Sequence, residues 1–112
     1  LVMGVTFKEN VSDIRNSKVV DVIKELQSFG IKTDIIDPYA ENKILSEEYQ
    51  LNLSAETGDK YDAVIVAVKH KEYQNLTEKY FLDLSNENGI LIDIKGIYNK
   101  KIKNIFFGTL MG

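Results

Sequence analysis

The chain has 112 residues, enough for one domain with a single core and little more. Apolar residues make up 44% and charged residues 28%, a soluble globular composition, and no apolar run is long enough to cross a bilayer. Cysteine is absent, which excludes disulfides, thiolate metal sites and a cysteine nucleophile within the chain and fits a reducing cytoplasm. Fourteen basic against 17 acidic residues give a net charge of −3, so the basic face of a nucleic-acid binder is not expected. No signal peptide opens the chain, which starts at Leu1 inside an apolar run, as a piece of a larger protein would.

Leu1 to Phe7 reads as a strand buried on both faces. A polar loop follows, with Lys8, Glu9, Asn10, Asp13, Arg15 and Asn16. Ser17 is a good helix N-cap, and Val19, Val22, Ile23, Leu26 and Phe29 then recur at helical spacing up to Gly30, which suits a left-handed helix terminus. Ile31 to Ile36 reads as a second strand stopped by Asp37-Pro38, and Asn42 to Tyr49 as a short helix. Tyr61 to Val68, "YDAVIVAV", is the strongest strand signal, rich in β-branched residues. Glu72 to Leu84 reads as a helix, "SNENG" as a turn and "ILIDIKG" as a fourth strand. For "IKNIFFGTLMG" the pattern does not decide between a strand and a helical turn. Strands alternating with helices predict an α/β fold, a three-layer Rossmann-like sandwich with a mostly parallel sheet. The strand ends, with Lys8, Asp37, Lys69, His70 and Lys95, then gather on one edge, where such folds take ligands.

Each polar residue on that edge has two readings. Lys8 and Arg15 suit a phosphate or diphosphate over the helix N-terminus, or they pair with Glu9 and Asp13 in a solvated loop. The loop lacks the glycine spacing of a dinucleotide fingerprint, so side chains would have to supply the contacts. Asp37 stands where a ribose-binding acid stands in dinucleotide folds, but Asp-Pro reads better as a turn. His70 has no second ligand candidate nearby, so no metal site is expected, and loop anchoring or helix capping is favoured over acid–base catalysis. Lys95 is a solvated strand end or a third cation for the same anion. The tyrosines and phenylalanines recur at core spacing and read as packing.

The stretches "GVTFKENVSDIRNSKVVDVIKEL", "IIDPYA", "YDAVIVAVKHKEY" and "LIDIKG" together resemble the C-terminal domain of the UDP-glucose/GDP-mannose dehydrogenase family, from Val2 to about Tyr98. "TFKEN..D.RNS" and "D.KG" are most similar to the branch acting on UDP-N-acetylhexosamines, such as N-acetylmannosamine and N-acetylgalactosamine. The resemblance implies that residues 1–112 are the UDP-sugar-binding domain of a cytoplasmic, homo-oligomeric enzyme of polysaccharide biosynthesis. That enzyme oxidises a sugar C6 alcohol to the carboxylate with NAD and a cysteine nucleophile. The NAD-binding and central domains lie outside this sequence, so the chain alone is expected to be inactive, with no catalytic residue and no membrane partner. Phe7 and Lys8 match the Phe-Lys that touches the substrate near its diphosphate and sugar. Arg15 matches the arginine that reaches towards NAD, and Lys95 a basic position near UDP where relatives often use arginine. A free-standing nucleotide-binding or regulatory α/β module is the alternative. Its phospho-receiver version fails, because Lys8 and Lys69 stand where acids are required.

Overall fold

The computed structural model describes residues 1–58 and 60–98, and the backbone of 106–108. Its strands are β1 (Val2–Met3), β2 (Ile35–Ile36), β3 (Tyr61–Val66), β4 (Ser85–Asp93) and β5 (Phe106–Gly108). They form one sheet in the order β2-β1-β3-β4-β5, and every pairing is parallel. Helices α1 (Lys18–Ser28), α2 (Asn42–Tyr49) and α3 (Glu78–Leu84) cover it. Alternation along the strands divides the interior in two, since successive side chains leave opposite faces. Val2, Val5, Ile35 and Ala67 pack with Val20 and Ile23 of α1 and Leu45 of α2. Met3, Val64, Val66 and Leu91 pack on the other face with Phe81 of α3, Tyr73 and Tyr98. The expected three-layer α/β sandwich is the fold.

β1 and β2 are shorter than the apolar runs predict, and the backbone amides explain why. β1 stops at Met3 although burial continues through Thr6. Gly4 turns the chain at φ +96°, and the next amides, Val5 and Thr6, donate to the Asp37 carboxylate instead of a neighbouring strand. β2 begins only at Ile35 because Ile31 belongs to the end of α1: Gly30 N–H donates to Gln27 O and Ile31 N–H to Leu26 O. This pair of bonds is a Schellman motif, with Gly30 at φ +78°.

Three other readings are corrected. The predicted helix 72–84 is broken: a 3₁₀ turn at Lys71–Tyr73 precedes α3, which starts after Thr77, whose Oγ1 accepts the Tyr80 amide. "SNENG" lies within β4, but the ladder jumps from Tyr61↔Ser85 to Ala63↔Ile90, so residues 86–89 stand out of register. The α1 stripe is displaced: the helix buries Val20 and Ile23, while Val22 is 41% and Phe29 74% exposed. Phe29 is therefore not a packing aromatic. Ser17 caps α1 as expected, its side chain accepting from Val19 N–H, and α2 matches its predicted span. The terminal segment contributes β5; its remaining residues lie outside the described ones.

Candidate ligand site

Strand order 2-1-3-4-5 places the topological switch point between β1 and β3, and parallel strands put their C-terminal ends on one edge. There the loop after β1, the first turn of α1, residues 67–68 after β3 and Lys95 after β4 enclose a cavity of about 210 Å³. Phe7 and Lys8 from the loop after β1 and Lys95 from beyond β4, distant in sequence, all line it. Lys18, the first residue of α1, lines it too, making a third lysine. Ser17 and Val19 bring the helix N-terminus to its wall, so lysine charge and the positive end of α1 act on the same space.

What makes the site is the discipline of its loop. Phe7 N–H donates to Asp13 O at 2.6 Å, closing the loop on itself, and Ile14 is buried as a plug against α1. Asn10 and Asn16 both sit at φ +62°, a left-handed conformation that asparagine tolerates better than most residues. Asp37 holds the near end. Its Oδ2 accepts Val5 N–H at 2.8 Å, Thr6 N–H at 3.3 Å and His70 Nε2 at 2.9 Å. Its Oδ1 accepts Tyr39 and Ala40 N–H, the turn predicted from Asp-Pro. A carboxylate so committed, with no exposed side-chain surface, cannot also grip a ribose.

His70 holds the far end, as the loop-anchoring reading expects. The ring is fully buried, and its Nδ1 accepts Asn10 N–H at 2.9 Å. That bond fixes the tautomer: the proton is on Nε2 and is donated to Asp37, with Thr6 Oγ1 a second, longer partner at 3.2 Å. Thr6 Oγ1 in turn donates to Lys8 O. Between these clamps Phe7 is 56% exposed and Lys8 is turned to solvent. Thr6, Asn10, Asp37 and His70 act over separations of more than 30 residues, beyond the reach of local sequence patterns.

The two cations of the loop have different surroundings. Lys8 makes no ion pair with Glu9; among the described residues Arg15 pairs with Asp13 and Lys79 with Asp83, while the neutral His70 ring meets Asp37 through a hydrogen bond. Arg15 does pair as its alternative reading proposed, Nε to Asp13 Oδ1 at 3.2 Å, with its side chain 72% exposed. Bonds from the Arg15 backbone and side chain hold the Asp13 carboxyl below the ordinary carboxylate range. Arg15 does not line the cavity; α2, through Glu48 and Tyr49, is its charged neighbourhood. A larger cavity of about 470 Å³ lies on the opposite edge of the sheet, beside Leu26, Ile31 and Tyr61. It has none of the loop structure and none of the switch-point geometry described above. Among the described residues no cluster of histidine, cysteine and carboxylates could hold a metal, and no helix is long and apolar enough to cross a membrane.

A parallel sheet of this order, with lysines and a helix N-terminus at its switch point, defines a nucleotide- or phosphate-binding class of domain. Residues 1–100 match the UDP-glucose/GDP-mannose dehydrogenase family, UDP binding domain, and the chain belongs to that family. It is 36% identical over 96 residues to the UDP-N-acetyl-D-glucosamine 6-dehydrogenase of Pseudomonas aeruginosa, covering 85% of this chain and 23% of that protein. To Protein CapL of Staphylococcus aureus it is 36% identical over 105 residues, 93% of this chain and 24% of the relative. The native structure of the UDP-N-acetyl-mannosamine dehydrogenase Cap5O from Staphylococcus aureus superimposes with a TM-score of 0.74. That match has 21% identity and covers 96% of this chain and 25% of the other, which shows the shared fold. The chain thus spans about a quarter of the length of these relatives.

Proposed function

We propose that the chain is the substrate-binding domain of an NAD-dependent nucleotide-sugar 6-dehydrogenase that oxidises the C6 alcohol of a UDP-hexose or UDP-N-acetylhexosamine to the uronate. The observation that carries this is the convergence of Phe7, Lys8 and Lys95 on one cavity at the α1 N-terminus. The relatives' names, which specify UDP-N-acetylhexosamines, support the substrate class. The Lys8 ammonium and the first-turn amides meet the diphosphate, Lys95 adds charge at the far wall, and the exposed Phe7 ring covers an apolar face of the substrate. The remainder of the protein carries the NAD-binding and central domains, in a cytoplasmic homo-oligomer. NAD, when bound there, supplies the hydride-accepting nicotinamide. The exposed guanidinium fork of Arg15, oriented by Asp13, fits a phosphate presented from a facing domain. The phospho-receiver alternative shares the strand order but lacks its chemistry, since Lys8 and Lys69 occupy the strand ends.

Kinetics of the full-length enzyme separate the two cations. Lys8→Ala mainly weakens use of the UDP-sugar and Arg15→Ala mainly use of NAD, each by roughly 1.5–3 kcal/mol in kcat/KM for its own ligand. Cleft closure produces some crossover between them. Steady-state rates with each ligand varied in turn decide the matter. The same pattern for both variants, or the reverse one, refutes the division.

A further inference from the structure

We propose that His70 is a positioning residue for substrate binding, acting through its Nδ1–Asn10 bond on the loop that carries Phe7 and Lys8. This rests on the UDP reading above. The two ends of the loop are held differently. Asp37 takes the amides of Val5 and Thr6 itself, so the near end stays fixed whatever stands at position 70. The far end depends on the ring, through Asn10 N–H to Nδ1, with Lys71 N–H to Asn10 Oδ1 as its companion. Phe7 and Lys8 lie between these clamps, and Thr6 Oγ1 ties the Lys8 carbonyl to the same node. The ring itself has little freedom. Tyr39 packs against it at 4.7 Å and Tyr73 at 5.5 Å between centroids, and Asp37 takes its Nε2 proton. A neutral ring with its acceptor facing Asn10 therefore transmits the packing of three strand-end loops to the residues that face the cavity.

Two conservative substitutions divide the ring's hydrogen bonds. The asparagine side-chain oxygen reaches the place of Nδ1, whereas the glutamine amide nitrogen reaches that of Nε2. His70→Asn thus keeps the Asn10 acceptor and loses the Asp37 donor; His70→Gln does the opposite. UDP is titrated into the full-length enzyme and its His70→Asn, His70→Gln and His70→Ala variants by calorimetry, with thermal melting of each in parallel. All three variants melt below the wild type. The Kd for UDP rises about tenfold in His70→Gln and His70→Ala, the loss of one partly buried hydrogen bond, and returns to within about threefold of the wild type in His70→Asn. A Kd unchanged in all variants, or one that follows melting temperature without rescue by asparagine, overturns the inference while leaving the UDP reading intact. A wild-type enzyme that does not bind UDP overturns both.

Discussion

Asp37→Asn lowers the stability of the domain on the order of 3 kcal/mol although it leaves the number of heavy atoms unchanged and the volume almost so. The native carboxylate accepts on both sides: Val5 N–H, Thr6 N–H and His70 Nε2 at Oδ2, Tyr39 and Ala40 N–H at Oδ1. An amide offers one oxygen and one NH₂ group. Whichever way it turns, hydrogens meet hydrogens on one side, in a place fully closed to water. Buried donors stripped of an acceptor lose their full solvation, which is why an isosteric change costs so much. Thermal melting of the variant shows the loss. A melting temperature within a degree or two of the wild type would mean that Asp37 is only a turn residue.

Gly4→Ala has an effect of similar size for an unrelated reason. Gly4 sits at φ +96°, and a Cβ placed there meets Val68 Cβ at 2.8 Å and Val68 N at 3.0 Å. The left-handed conformation costs roughly 1–2 kcal/mol for an L side chain, and overpacking adds roughly 1–3 more. The Val68 backbone cannot step aside cheaply, because it belongs to the turn that leads from β3 to His70. We expect a fall in melting temperature of more than about 10 °C. Gly30→Ala is the matched control: it has the φ penalty at +78° but nothing within 4 Å of its new Cβ. Equal losses at the two positions would show that the contact with Val68 is unimportant.

The parts of the fold that local chemistry dictates were legible in the sequence. Ser17 announces α1, Asn42 to Tyr49 forms the helix its pattern predicts, and the β-branched run from Tyr61 makes β3. Thr77 with Glu78 behind it was an available N-terminal signal for α3, which the longer helical spacing from Glu72 obscured. Strand lengths were not legible. β1 ends where the Asp37 carboxylate captures two amides, an interaction across 31 and 32 residues that alternation of side chains cannot encode. The buried stripe of α1 was misplaced because Val19, Val20, Val22 and Ile23 offer two overlapping apolar faces; the sheet selects the one centred on Val20 and Ile23.

The site divides in the same way. Lys8 and Lys95 could be gathered from the sequence because parallel strands end on a common edge, Phe7 entered through the family resemblance alone, and the cavity lies at that edge. Lys18 was missed because a lysine at the start of an amphipathic helix reads as solvated. The Thr6–Asp37–His70–Asn10 network left only fragments in the sequence: a turn signal, a lone histidine and a loop asparagine. Nothing local joins them. Their function is visible only when the three loops are side by side.

We expect the switch-point edge of this domain, and no other surface, to receive the UDP portion of the substrate. Titration of UDP into the ¹⁵N-labelled chain, followed through its backbone amides, tests it most directly. Binding is expected to be weak and salt-sensitive, since exposed charge-assisted contacts must offset the entropy of association. The amides of residues 6–18 and of Lys95 move together and saturate on one curve. Shifts confined to the opposite edge, around Ile31, Lys32 and Tyr61 beside the larger cavity, would contradict the account.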